Sequence, residues 1–299
     1  MQKLDEEHLS VTNRANRILV IGASGMLGNA VFRFFSQSKE FEVFGSVRSV
    51  QVPALLPAGS KNRVIGDIDV QNHDALTGLF ARTRPDIVVN CVGMIKQLKL
   101  AEDPLVTLSL NALLPHRLAQ LCAVAGARLV HISTDCVFSG DKGMYTEDDI
   151  PDARDLYGRS KYLGEVDCKN AITLRTSIIG RELSGGQSLI DWFLSQEDRV
   201  KGYSRAIFSG LPTVELARVI RDHVIPFPDL QGVCHVSAEP ISKCELLKLV
   251  AQAYGKSILI QPDGHLIIDR SLDSSRFRKK TGYSPKPWLA MVRQMYEFG

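Results

Sequence analysis

One stretch constrains this chain more than any other: Gly22-Ala23-Ser24-Gly25-Met26-Leu27-Gly28. Arg17 to Ile21 before it (RILVI) is a β-branched apolar run, and Leu27 to Ser36 after it sets Val31, Phe32 and Phe35 on one helical face. Glycines at intervals of three between a strand and a helix form the GxxGxxG version of the dinucleotide turn. Gly22 is expected to make the tight turn, Gly25 to let the backbone approach a pyrophosphate, and Gly28 to let the helix lie against the sheet. Ser24, Met26 and Leu27 complete the loop. The free N–H groups and dipole at the helix start would then hold the phosphate charge. The competing reading is a glycine turn with no ligand.

The rest of the chain repeats the same alternation of short apolar runs and longer amphipathic ones, which is the pattern of βαβ units. Strands are expected over 41–47, 62–66, 86–89, 128–133 and 172–176. A long helix is expected over 105–126, kinked at Pro115. Beyond about residue 180 the rhythm loosens. Gly185-Gly186 breaks the chain, helices are expected over 189–194, 213–224 and 242–254, and a further strand over 233–236. The expected class is α/β: a Rossmann-type doubly wound parallel sheet with a smaller α/β C-terminal substrate domain. Residues 1–16 read as a polar extension and 17–180 as the cofactor domain, with 203–236 returning to it. Residues 181–202 and 237–299 read as the substrate domain.

Composition narrows the function. The chain has 299 residues, of which 44% are hydrophobic, with a formal charge of +3. So small a charge implies no nucleic acid or acidic membrane as partner. No apolar run reaches the length of a membrane span, and the polar start lacks a signal-peptide core, so a cytoplasmic protein is expected. The six cysteines contain no CxxC pair and the histidines no ligand spacing, so neither a disulfide framework nor a metal is expected. His131 and His235, inside expected strands, read as core residues.

The end of the second strand bears on the cofactor. An acid there suits the ribose diol of NAD, and a cation suits the 2′-phosphate of NADP. Ser46-Val47-Arg48 offers Arg48 and so favours NADPH, with NADH the alternative; a solvated surface arginine is the bland reading. Asp67, with Ile68 beside it, is placed for the adenine amino group, or else caps the helix near Asp74. Tyr157 and Lys161 are four apart and share a helix face. An ammonium there would stabilise a phenolate and lower the pKa of a proton donor to a carbonyl. Thr134, ending the fifth strand, would bind the same carbonyl, or else cap a turn.

Taken together, Gly22–Gly28, Thr134, Tyr157 and Lys161 resemble the extended short-chain dehydrogenase/reductase superfamily. Residues 133–140 (STDCVFSG) and 90–93 (NCVG) most resemble the dTDP-4-dehydrorhamnose reductase family. The resemblance covers residues 17–285 and implies NADPH-dependent reduction of a 4-keto-6-deoxy sugar on a nucleotide diphosphate, within surface-polysaccharide synthesis. It implies Thr134, Tyr157 and Lys161 as the triad, supported by Asn111. It implies Cys91, Val92 and Gly93 on the nicotinamide side, and Asp135, Cys136, Phe138 and Arg270 at the substrate. Lys201 and Arg270 are candidate diphosphate contacts on charge and position. Beyond the nucleotide sugar, a second copy in a homodimer is the partner to consider.

Cys136 departs from the family, which has tyrosine there. Sugar 4,6-dehydratases carry glutamate at this point, so Cys136 argues against water elimination. GDP-fucose synthases use a cysteine there for epimerisation, paired with a histidine where this chain has Glu182. An epimerase or epimerase/reductase is therefore the alternative, and a small pocket-shaping residue is the bland one. A non-catalytic binding module, like the regulatory subunit of methionine adenosyltransferase, is the third reading. The intact Thr134/Tyr157/Lys161 set speaks against it.

Overall fold

The computed structural model describes residues 16–49, 63–94, 102–183 and 186–299. The expected extension, apart from residue 16, lies outside these residues, as do Asn62 and Gly185. Fourteen strands are described: β1 (Asn16–Ile21), β2 (Phe41–Ser46), β3 (Val64–Ile65), β4 (Ile87–Asn90), β5 (Arg128–Ile132), β6 (Ala171–Arg175) and β7 (Ile178–Ile179), then β8 (Arg199–Tyr203), β9 (Ala206–Phe208), β10 (Leu211–Pro212), β11 (Gly232–His235), β12 (Ile241–Ser242), β13 (Leu259–Asp263) and β14 (Ile268–Asp269). The helices are α1 (Met26–Ser36), α2 (His73–Thr83), α3 (Pro104–Leu108), α4 (Leu114–Ala125) and α5 (Leu156–Leu163), then α6 (Leu189–Ser195), α7 (Thr213–Val219), α8 (Lys243–Tyr254), α9 (Ser275–Thr281) and α10 (Trp288–Phe298).

Seven strands form one parallel sheet in the order β11-β6-β5-β4-β1-β2-β3. This is the Rossmann-type doubly wound α/β class, with the order reversing between β1 and β4. β1 explains why the sheet is buried on both faces. Ile18 and Val20 enter the core under α1, whereas Leu19 and Ile21 enter the core under α2 and α4. The first core also gathers Phe32 and Phe35 of α1, Leu216 of α7, Leu246 of α8 and Met291 of α10. β11, from the 203–236 segment, pairs with β6 along the sheet edge. The small sheets β12-β9-β14 and β13-β8 stand outside it.

The long helix departs from the expected kink in an instructive way. It runs as α3, a π-helical turn over Ser109–Leu113, and then α4. Pro115 has no N–H to offer the Asn111 carbonyl. The turn widens ahead of it, and Leu114 N–H donates to Ser109 O instead. The freed Asn111 carbonyl allows α5 to approach, because Gly164 has no Cβ; one placed there would stand 1.9 Å from that oxygen.

Candidate active site

A cavity of about 500 Å³ opens where β1, β4, β5 and β6 end. It is lined by Ser24–Leu27, Asn90–Met94, Ile132–Cys136, Tyr157, Lys161, Thr176–Gly180, Glu182 and Lys243. The carboxyl end of a parallel sheet at its switch point is where ligands of this architecture bind.

The glycine loop forms one wall. Gly22 has φ +85°, and a Cβ there would meet Val92 Cγ2 at 2.7 Å. Gly28 is tighter still: its Cβ would lie 2.0 Å from Gly22 O, so this glycine lets α1 pack on the loop itself. Gly25, the N-cap of α1, makes no side-chain cap bond, and the first turn holds no acid. Met26 and Leu27 thus bring uncapped N–H groups and the positive helix end to the cavity, which is the donor set a pyrophosphate requires. Arg48 is exposed just past β2. Asp67 is exposed with φ +60°, and Ile68 N–H donates to Val47 O at 3.1 Å, fixing that turn. Capping of α2 falls to Asn72, which accepts from Asp74 and Ala75 N–H, and not to Asp67.

Asn90 orders the opposite wall. Its Oδ1 accepts from Val92 N–H at 3.1 Å, and its amide faces His131 Nδ1 at 3.1 Å. Burial, with the Lys161 charge nearby, holds His131 well below the usual imidazole range. Its Nε2 has no hydrogen-bond partner among the described residues. Cys91 lines the cavity as a neutral thiol, pushed up to about 12 by burial. Asn111 is fully buried and does not line the cavity. Its Oδ1 accepts from Met94 N–H at 2.8 Å, and its Nδ2 donates to Ser160 Oγ at 3.1 Å. It ties the Gly93–Met94 wall to α5.

Thr134, Tyr157 and Lys161 come together as the spacing suggests, with one electrostatic correction. Thr134 and Tyr157 line the same cavity, and Thr134 Oγ1 also caps the following turn, accepting from Cys136 N–H at 3.1 Å and donating to Asp135 Oδ1 at 3.2 Å. Lys161, buried, donates through Nζ to Ile132 O at 2.6 Å. Burial lowers its ammonium to about 8, opposed by Glu165 and the Cys91 side chain. The Tyr157 phenol, however, is raised above its ordinary value, by burial first and then by the Cys136 and Asp135 side chains. The expected lowering by Lys161 does not appear, because desolvation outweighs a charge that is turned toward Ile132 O. Behind this set lies a buried ion pair that sequence reading missed: Arg175 grips both oxygens of Glu165 at 2.7 Å, and Ser133 Oγ donates to Glu165 Oε1 at 2.8 Å.

At the sugar end, Asp135 and Cys136 line the cavity as expected. Burial raises the Asp135 carboxyl, with Lys243 and Arg270 pulling it back. Arg270 stands behind the turn, donating to Phe138 O at 2.8 Å, with its Nη1 3.7 Å from Cys136 Sγ. Phe138 requires a correction. It is fully buried, stacked on Tyr145 with centroids 4.1 Å apart, and turned away from the cavity. An aromatic ring with no polar tip gains more from that apolar contact than from a hydrated cleft. Lys201 also falls elsewhere, exposed on β8 with Asp263 at 3.3 Å. Lys243 was missed because it reads as the first turn of an amphipathic helix. The available signal was a cation set at the positive end of a helix, against the dipole.

No described helix is long and apolar enough to cross a membrane. Among relatives, methionine adenosyltransferase 2 subunit beta of Danio rerio is 28% identical over 265 residues, 84% of this chain and 76% of that protein. A dTDP-4-dehydrorhamnose reductase of Streptomyces griseus is 34% identical over 150 residues, half of this chain and 43% of that protein. Among solved structures, dTDP-4-dehydrorhamnose reductase of Bacillus anthracis in complex with NADP superimposes with TM-score 0.77 at 20% identity, covering 95% of this chain and 99% of that one. The family model for the RmlD substrate binding domain matches residues 16–258, so the chain belongs to that family.

Proposed function

We propose that the chain is an oxidoreductase that uses NADPH to reduce the 4-keto group of a nucleotide-activated 4-keto-6-deoxy-hexose. The observation that carries this reading is the Thr134–Tyr157–Lys161 set facing the same cavity as the uncapped start of α1. The loop residues Gly22–Gly28 would hold the pyrophosphate of the cofactor, which supplies a hydride when bound; the NADP in the related Bacillus anthracis structure supports this choice. Thr134 Oγ1 and the Tyr157 hydroxyl would hold the carbonyl oxygen, and the Tyr157 phenol, kept protonated by burial, would hand its proton to that oxygen. Lys161, held by Ile132 O, would supply positive charge at the wall of the same cavity. NADPH mixed with purified protein and a panel of 4-keto-6-deoxy nucleotide sugars should lose its absorbance with at least one member. Tyr157→Phe should slow that loss at least 100-fold. No loss with any sugar, or unchanged rates in Tyr157→Phe, overturns the reading.

The Arg270 guanidinium near Cys136 Sγ favours a second reading, in which Cys136 acts as a base in epimerisation before reduction. Solvent deuterium entering the product at C3 or C5, abolished by Cys136→Ser, distinguishes it. The likeness to methionine adenosyltransferase 2 subunit beta supports a third, a subunit that binds another enzyme. Co-purification with a methionine adenosyltransferase catalytic chain, with no turnover of any sugar, would favour that one.

A further inference from the structure

Lys243 is the first residue of α8, after the N-cap Ser242, and its side chain reaches the cavity wall. Its ammonium lies over the Phe208 ring, 4.0 Å from the centroid. Among the described residues its ammonium makes no hydrogen bond or ion pair, although Asp135 and Cys136 act on it electrostatically. Lys243 is half-buried and its ammonium opens to the cavity, where three donors held against an apolar ring and only partly hydrated come at a cost. Burial accordingly lowers it to about 8. Its place at the positive end of α8 adds to that cost. The Phe208 ring and the Asp135 side chain offset part of that cost, and Ser242 Oγ caps the helix through Glu245 N–H, which leaves the Lys243 donors directed at the cavity.

The charges around it give the sign of what it would take. Lys243 and Arg270 stand against the single carboxylate of Asp135, which leaves one positive charge beside Cys136. Glu182 lies on the wall of the same cavity, accepting a hydrogen bond from Gln187 N–H at 2.9 Å, and is not among the charges that act on Lys243.

We propose that Lys243 is a substrate-binding residue of this cleft, taking an anionic oxygen of the substrate's diphosphate beside Cys136. The proposal rests on the nucleotide-sugar reading above and names the ligand group that this site selects.

Calorimetric titration of NADPH-loaded protein with UDP, dTDP, GDP, their glucose esters and UDP-glucuronate provides the test. Lys243→Met should weaken binding at least tenfold and Lys243→Arg should keep it within threefold, with NADPH affinity and Tm unchanged in both. An equal loss for the bare diphosphates and their sugars identifies the diphosphate as the source. A loss confined to UDP-glucuronate, whose C6 carboxylate a 6-deoxy sugar lacks, overturns the inference. If wild-type protein binds these ligands and Lys243→Met binds them equally well, this inference is overturned and the nucleotide-sugar reading stands. If wild-type protein binds none of them, both fall.

Discussion

Tyr157 illustrates what a single residue can and cannot reveal before its surroundings are known. The four-residue spacing to Lys161 placed both side chains at one cavity, as a helix requires. The protonation balance could not be read from that spacing, because it depends on desolvation. Lys161 carries its proton below pH about 8 and loses it above. The positive charge that Lys161 brings to the cavity wall therefore disappears as pH rises. For the reductase, kcat/KM should fall about tenfold per unit above pH 8. Lys161→Met should lower the rate at least 100-fold at pH 7 and abolish that limb. A wild-type profile flat to pH 9.5 would count against Lys161 as the titrating group. Cys136 and Arg270 were legible as neighbours only through family resemblance, since they lie 134 positions apart.

At the scale of elements, turns and helix contacts carry the sharpest predictions. In Gly28→Ala, the new methyl would meet the Gly22 carbonyl at 2.0 Å, which neither α1 nor the loop can relieve without moving. The substitution should cost about 1–3 kcal/mol and abolish NADPH binding; a melting curve and a fluorescence titration check both. β11 offers a pH-dependent test. His235 is fully buried, hydrogen-bonded to Tyr145 O at 3.0 Å, and faces Arg175 at 3.3 Å. Burial and the Arg175 charge depress it from 6.5 to about 4. The unfolded chain thus binds a proton that the folded chain excludes, and stability falls as pH drops from about 6.5 toward 4. Between pH 7 and 5 the loss should be about 2 kcal/mol in urea unfolding, and His235→Gln should remove most of it. The π-helical turn at Ser109–Leu113 was the least legible element. Pro115 marked an irregularity, but the contact of Gly164 with the Asn111 carbonyl is what gives the widened turn its use.

The whole molecule depends on a helix that gives no residue to the cleft wall. α10 inserts Trp288, Met291, Val292 and Met295 into the core shared with α1, α7 and α8. Arg33 of α1 holds its end through the Phe298 and Gly299 carbonyls at 2.6 and 2.9 Å. Burying four such side chains contributes about 6–12 kcal/mol, comparable to the entire stability of a typical domain. Ending the chain at Pro287 should therefore yield protein without a cooperative urea transition. Retention of that transition with unchanged midpoint would show α10 to be dispensable.

The sequence by itself determined the parallel α/β sheet, the glycine loop and the Tyr157–Lys161 pairing. Each of these is local: a period of two or 3.6, a turn only glycine can make, a spacing of four. Only the tertiary structure decided that Phe138 turns into the core, that Lys201 pairs away on β8 with Asp263, and that Lys243 reaches the cleft. Those outcomes depend on which side chains distant segments bring together, and on whether water is left around each charge. Periodicity carries no record of either.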